Sequence, residues 1–331
     1  MKRCTVLGDG SWGTAVATAL AHNGHRVNLW CYNPHVAASI AERRCNDIYL
    51  PGVILDPLIR PYHDMNQALE GAEFVFQAIP MQFLRTTLAP HAASLPSHAV
   101  WVHLTKGIER GTGLFADQVV RELIGRDYLS SICGGPNFAQ ELAQKHITAA
   151  TVAAGDCAIV DTVSQVMSSS YVKIYGSVDT IGVQVGGALK NVIALAVGML
   201  DGAGYTENAK ALVLTRGLKE MVMLAKALGG NERTLYGLSG MGDLVLTAMG
   251  GLSKNMRVGK AIGQGKTLTQ VLQETGLIPE GVNTAYALGP IIEKKQISMP
   301  IVQTVLNVLN ERSTCASILE TILLTPYEYE C

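Results

Sequence analysis

Lys190 is the one charged residue in the apolar stretch 181–200, Ile-Gly-Val-Gln-Val-Gly-Gly-Ala-Leu-Lys-Asn-Val-Ile-Ala-Leu-Ala-Val-Gly-Met-Leu. At helical spacing Val183, Gly186, Gly187, Ile193, Ala194 and Val197 share its face, and the small residues let a second surface approach the amine. A buried ammonium without compensation is costly, so the site must supply a carboxylate, a bound ligand or conditions that discharge the amine. The competing reading is a lysine at a helix edge that snorkels to water. An ammonium held in such a place can donate a proton or stabilise negative charge as it develops.

Four further groups have types and spacing suited to chemistry. Lys106, in Thr105-Lys106-Gly107, follows the apolar run Val100 to Leu104. A lysine there meets an anion or a polarised carbonyl, or else is a surface-loop lysine. Asp243, in Ser239-Gly240-Met241-Gly242-Asp243, either caps the short helix opened by Leu244 or partners Lys190. Ser253-Lys254-Asn255 with Arg257 places donors at a helix start and reads as a phosphate cradle, or as a solvated basic turn. Glu280, after Ile278-Pro279, either holds a cofactor or opens the next helical stretch.

The elements that must position these groups begin at the amino terminus. Thr5-Val6-Leu7 leads into Gly8-Asp9-Gly10-Ser11-Trp12-Gly13, an Ala-rich helix follows, and a second strand runs from Arg26 to Cys31. This is G-x-G-x-x-G in its strand–turn–helix context, the fingerprint of dinucleotide binding. Gly8, Gly10 and Gly13 permit the tight turn and close approach of a pyrophosphate, and the helix start offers N–H groups to it. The end of the second strand, Trp30-Cys31-Tyr32-Asn33, lacks the acidic residue that binds a free ribose 2′-hydroxyl. Tyr32 can stack on adenine and Asn33 can bond either ribose form. Arg43 or Arg44 either reaches a 2′-phosphate or lies on the solvated face of a helix. The expected cofactor is therefore NADP, with NAD tolerated.

Strand and helix patterns keep alternating through Phe74 to Ile79, Val100 to Leu104, Ser131 to Gly134, Thr148 to Ala153 and Tyr171 to Tyr175. Between two of them, the turn Gly135-Pro136-Asn137-Phe138-Ala139 offers backbone N–H groups to substrate or nicotinamide. The first half thus predicts a Rossmann-type, doubly wound, mainly parallel sheet. From Ile181 the strand signal stops and helical patterns follow one another, with Thr206 as a cap before a long helix from Asn208 to Leu228. The expected division is 1–178 for the nucleotide-binding domain and 179–331 for an all-helical domain.

The totals narrow the class. With 331 residues, a formal net charge of −1 and no basic run, the chain has room for two cores and no electrostatic footprint for nucleic acid. Seven cysteines without a C-x-x-C pair read as reduced thiols, and no His or Cys set has metal-ligand spacing. The stretch 181–200 has the length of a bilayer span, but Lys190, Gln184 and Asn191 argue for a buried core helix and against an integral membrane protein. With a strand pattern starting at the first residues, the reading is a soluble, cytoplasmic protein.

Five motifs then occur in order: Gly8 to Ala15, Thr105-Lys106-Gly107, Gly135 to Ala139, Gly186-Gly187-Ala188-Leu189-Lys190-Asn191, and Gly242-Asp243-Leu244. Together they resemble the bacterial NAD(P)-dependent glycerol-3-phosphate dehydrogenase family over nearly the whole chain. The resemblance implies reversible reduction of dihydroxyacetone phosphate to sn-glycerol 3-phosphate, supplying phospholipid synthesis. It implies an all-α second domain of the 6-phosphogluconate-dehydrogenase-like kind and a homodimer. It makes Lys190 the proton donor and sets Lys106 between nicotinamide and substrate, with Asp243 beside them. Gly135, Asn137, Ser253, Lys254 and Asn255 match substrate positions. Ser11, Trp12, Tyr32, Lys106, Ala139, Lys254, Ile278 and Glu280 match cofactor positions.

Three residues depart from the family pattern. Lys254 replaces a commoner arginine and loses its planar fork. Asn137 exchanges a hydroxyl for an amide, and Pro279 removes a backbone N–H. The rival readings are a β-hydroxyacid dehydrogenase or ketopantoate-type reductase gripping a carboxylate, and a dinucleotide sensor without turnover. A sensor needs none of Lys106, Lys190 and Asp243.

Overall fold

The apolar runs of the first half become short strands. In chain order these are β1 (Arg3–Leu7), β2 (Arg26–Trp30), β3 (Cys45–Asn46), β4 (Leu50–Ile54), β5 (Ile59–Tyr62), β6 (Phe74–Gln77), β7 (Val100–His103), β8 (Leu129–Gly134), β9 (Thr148–Ala153) and β10 (Val172–Ser177). The computed structural model describes residues 1–125, 127–276 and 279–324. They divide into two units, 1–106 with 114–184, and 107–113 with the chain from Val185 onward.

In the first unit eight strands form one sheet in the order β10-β9-β8-β7-β6-β1-β2-β5, while β3 and β4 pair as a separate antiparallel hairpin. The pairs from β5 to β8 are parallel, and the chain order reverses direction at β1, between β6 and β2. That is the switch point where such sheets bind ligands. Helices α1 (Ser11–His22), α2 (Pro34–Arg43), α3 (Met65–Leu69), α4 (Met81–Leu88), α5 (Ala116–Ile124), α6 (Ala139–Ala143) and α7 (Cys157–Met167) complete this unit. Alternation sorts the two faces. Val6, Phe76 and Val102 join the core containing Val16 and Leu20 of α1, and Leu7, Val75 and Trp101 join the one containing Met81, Leu84 and Val119.

The sheet is not parallel throughout. β9 runs antiparallel to β8, with Ile132 opposite Ala153, and β10 is parallel to β9. The connection, residues 135–147, contains only the short α6, whose five residues span about 7.5 Å. The six-residue β8 is about 20 Å long. The chain does not recross the sheet here, and β9 starts from the end where β8 stopped.

The second unit is helical among the described residues: α8 (Thr180–Gly202), α9 (Glu207–Ala227), α10 (Glu232–Leu235), α11 (Asp243–Met249), α12 (Lys254–Gly263), α13 (Leu268–Thr275), α14 (Glu280–Lys295), α15 (Pro300–Leu309) and α16 (Ser317–Leu323). Contacts divide the chain inside α8, between Gln184 and Val185. Val183 packs with Ile132 and Ala153, so the opening of α8 stays with the sheet. The short stretch Gly107–Gly113 also belongs to the helical unit, where the Arg110 guanidinium lies 4.7 Å from the Tyr286 ring centroid. Helix α8 has the length and hydropathy of a membrane span, but its most apolar window is wholly buried in the protein.

Two pairs of glycines bring α8 and α12 together. A methyl group on Gly198 would lie 2.4 Å from Met256 O, and one on Gly202 would lie 2.0 Å from Lys260 O. From the other side, Gly259 and Gly263 press on Leu195 O and Met199 O at 2.2 and 2.1 Å. The helices therefore meet backbone to backbone, closer than side chains allow.

Candidate active site

The glycine-rich turn begins where β1 stops. Gly8 has φ +123°, and a methyl group there would meet Ala78 O at 3.0 Å; on Gly13 one would meet Gly8 O at 2.0 Å. Fold sterics thus fix those two glycines. Gly10 differs: its φ is −63°, and a methyl group would find nothing within 4 Å. Neither conformation nor packing demands glycine there, whereas the close approach of a pyrophosphate does. No side chain caps α1, so its first N–H groups face that same opening. Ser11 and Trp12, part-exposed, form the first turn. The turn fits a dinucleotide.

Beside it, Tyr32 is 72% exposed and meets Trp30 edge-on at 6.2 Å. Asn33 caps α2, its Oδ1 accepting from the His35 N–H at 3.0 Å. Neither arginine considered for a 2′-phosphate is set toward one. Arg43 pairs with Asp47 at 2.8 Å, and Arg44 donates to the carbonyls of Leu55, Asp56 and Ile59. Two residues missed in the sequence lock the turn. Asn46, from the hairpin, donates to Asp9 O and Thr14 Oγ1, each at 2.8 Å. The Asp9 carboxylate accepts from the Asn33 N–H at 3.1 Å.

Lys106 lies beyond the end of β7, and its ammonium donates to Gly135 O at 3.0 Å. Gly135 has φ +131° and lies tight against Ala149 and Ala150 of β9, where no larger residue fits. Asn137 is occupied inside this unit. Its Nδ2 lies 2.9 Å from Pro136 O, 2.6 Å from Thr148 Oγ1 and 2.9 Å from Ala149 O. The amide that replaces a hydroxyl thus pins the β8–α6 turn to the antiparallel strand. Ala139 opens α6 directly after it.

In the helical unit Lys190 is buried, and its ammonium donates to Asp243 Oδ1 and, at 2.9 Å, to Thr247 Oγ1. Asp243 is fully buried. A snorkelling lysine is excluded by this geometry. Asp243 is the first residue of α11, but no side chain caps that helix; its carboxylate serves Lys190 instead. The surface that approaches the small face of α8 is the turn 238–242. A methyl group on Gly186 would strike Ser239 O at 2.2 Å, and one on Gly240 would strike Leu235 O at 2.0 Å. Close approach at Gly186 is what brings the following Asp243 within reach of Lys190.

The run Ser253-Lys254-Asn255 divides by role. Ser253 caps α12, its hydroxyl accepting from the Met256 N–H at 3.2 Å. Asn255 is buried, donating to Asn191 Oδ1 and accepting from the Gly281 N–H, both at 2.9 Å. Its amide joins α8, α12 and α14. Lys254 and Arg257 are exposed on the first turn of α12. Glu280 opens α14 after Pro279, whose missing N–H costs the helix nothing at a capping position. Ile278, an expected cofactor contact, lies outside the described residues.

Residues 3–160 match the profile of the NAD-dependent glycerol-3-phosphate dehydrogenase N-terminus, and residues 179–320 that of its C-terminus. The NAD(P)+ glycerol-3-phosphate dehydrogenase of Geobacillus thermodenitrificans is 41% identical over 312 residues, 93% of this chain and 91% of the relative. That of Rhodospirillum rubrum is 40% identical over 325 residues, 98% of this chain and 93% of the relative. The crystal structure of glycerol-3-phosphate dehydrogenase from Coxiella burnetii superposes with a TM-score of 0.92 at 30% identity, covering 98% of this chain and 99% of that one. A ketopantoate reductase from Ralstonia eutropha shares the fold alone, with a TM-score of 0.58 at 13% identity over 97% of this chain and 99% of that one.

Proposed function

The chain belongs to the NAD(P)-dependent glycerol-3-phosphate dehydrogenase family, and from this premise we propose how its residues divide the work of reducing dihydroxyacetone phosphate to sn-glycerol 3-phosphate. Bound NAD(P)H supplies the hydride. Lys190 supplies the proton: as the ketone oxygen gains negative charge, the ammonium first stabilises it and then protonates it. In the reverse direction the same amine receives the proton. Asp243 and Thr247 hold the ammonium on one side and fix its direction. Gly8, Gly10, Gly13, Ser11 and Trp12 form the pyrophosphate turn, with Tyr32 at the adenine end. Lys106 and the Gly135–Asn137 turn order the nicotinamide end, Asn137 as a positioning residue. Glu280 is the cofactor contact on α14. Lys254 and Arg257, with Ser253 and Asn255 supporting the turn, receive the substrate phosphate, and that remote grip orients the carbonyl.

The observation that carries this reading is the buried group Lys190–Asp243–Thr247. A non-catalytic dinucleotide sensor has no use for it. Phospholipid supply, a cytoplasmic location and a dimer are part of the same proposal and rest on the family resemblance. The test follows loss of reduced-cofactor absorbance with dihydroxyacetone phosphate, using NADPH and NADH in parallel. Oxidation of either establishes the reaction. Binding of cofactor without consumption removes the substrate assignment and turns attention to ketones bearing a carboxylate.

A further inference from the structure

The second residue of the glycine-rich turn, Asp9, is held from both sides. Its carbonyl accepts from Asn46 Nδ2 and Thr14 Oγ1, and its carboxylate accepts from the N–H of Asn33, just past the end of β2. The carboxylate is thus fixed where the chain leaves β2, the place from which dinucleotide folds address the adenosine ribose. That strand end supplies no acid of its own, since it reads Tyr32-Asn33, and the Asn33 Oδ1 is spent on the cap of α2. No arginine there balances Asp9: Arg43 is paired with Asp47, and Arg44 is spent on backbone carbonyls. Burial pushes the Asp9 carboxyl above its ordinary range, against the Asn33 N–H and the nearby His63, which pull it down.

We infer that Asp9 is a specificity-determining residue for the cofactor, supplying from the glycine-rich turn the carboxylate that the end of β2 lacks. It accepts from the free 2′-hydroxyl of NAD(H) and opposes the 2′-phosphate of NADP(H), so that the use of both cofactors is a balance this residue sets. The inference rests on the dinucleotide reading of the Gly8–Gly13 turn.

The test is calorimetric titration of 5′-AMP and 2′,5′-ADP into the wild-type protein, Asp9→Asn and Asp9→Ser, with thermal unfolding to verify each fold. The serine variant keeps an oxygen for the Asn33 N–H if the asparagine variant is poorly folded. Removing the carboxylate should tighten 2′,5′-ADP by about tenfold, the scale of one charged contact, and change 5′-AMP less than threefold in the weakening direction. Equal change for both ligands, or none, overturns the inference while leaving the dinucleotide site standing. Binding of neither ligand to the wild-type protein overturns the dinucleotide reading and this inference with it.

Discussion

Thr247 accepts from the Lys190 ammonium at 2.9 Å and stands 3.4 Å from Asp243 Oδ1. Its hydroxyl takes a hydrogen bond from the cation and gives one toward the anion, so the three groups fix one another. Thr247→Val keeps the shape and removes this relay. Turnover should fall about tenfold or more, with the KM for dihydroxyacetone phosphate within about twofold, since a hydrogen bond to a charged group contributes about 1.5 kcal/mol or more. Steady-state kinetics decides it; an unchanged kcat removes Thr247 from the positioning of the amine.

Lys190→Met should abolish turnover, a loss of at least about a hundredfold. It also strips the cation from a fully buried carboxylate, at a cost of about 3–5 kcal/mol. Cofactor affinity should stay within about twofold. Adding Asp243→Asn should return most of the lost stability and none of the activity, because uncharged groups then replace the whole pair. Chemical denaturation and turnover, measured together, separate the two effects. Wild-type-like turnover in either variant would falsify the role of Lys190 as proton donor.

Gly10 and Gly186 are glycine for opposite reasons, and alanine should reveal this. At Gly10 a methyl group meets open space, so stability should change by no more than about 1 kcal/mol while cofactor affinity drops about tenfold or more. At Gly186 the methyl group meets Ser239 O at 2.2 Å. That variant should lose about 1–3 kcal/mol and most of its turnover, because the displaced turn carries Asp243 away from Lys190. Thermal unfolding and cofactor titration of both variants test the contrast. Equal destabilisation by the two would contradict it.

Asn255→Ala should act first on stability. It leaves the Gly281 N–H and Asn191 Oδ1 without their shared partner, at about 1–3 kcal/mol for each buried group. A large rise in KM with an unchanged melting temperature would instead make Asn255 chiefly a phosphate ligand.

Glu220 on α9 gives a pH signature. Its buried carboxylate accepts from the Ile301 and Val302 N–H groups at 2.6 and 3.1 Å and so caps α15. Burial pushes its pKa up to about 7, against backbone donors that pull it down. The folded state then holds a proton that the unfolded chain releases near its ordinary carboxylate value of about 4.3. Stability from this group is therefore full below about pH 4 and lost progressively as pH rises to about 7. Glu220→Gln should flatten that part of the stability–pH curve, by about 3 kcal/mol between the two ends. Denaturation of both proteins across pH 4.5–8 provides the check.

The sequence was most informative where one residue type has one physical use. The Gly8–Gly13 turn, the strand ends carrying Lys106 and Gly135, and the buried Lys190 needing a carboxylate could all be read locally. Asp243 was one of few acids near a small-residue turn, and so was within reach of inference. The reversal of β9 was not legible, since the connection 135–147 is long enough for either sense of pairing. Thr247 and Asn46 act through contacts distant in sequence, and nothing in their neighbourhoods marks them. Gly198 and Gly202, with Gly259 and Gly263, did carry a signal, a small residue every fourth position on two helices, that predicts close helix packing.

That packing bears on what the enzyme measures. Lys190 rides on α8, and Lys254 and Arg257 ride on α12, while at Gly198, Gly202, Gly259 and Gly263 the two helices press backbone on backbone. At those four glycines no side chain stands between the helices to swing aside, and the Asn191–Asn255 hydrogen bond ties them a second time. Under the proposed division of roles, the span from Lys190 to the first turn of α12 is a fixed gauge for the number of carbons separating carbonyl from phosphate. A homologous substrate longer by one carbon would fail for want of registration, and enlarging the residues around the bound molecule, or trimming them, would not recalibrate the gauge.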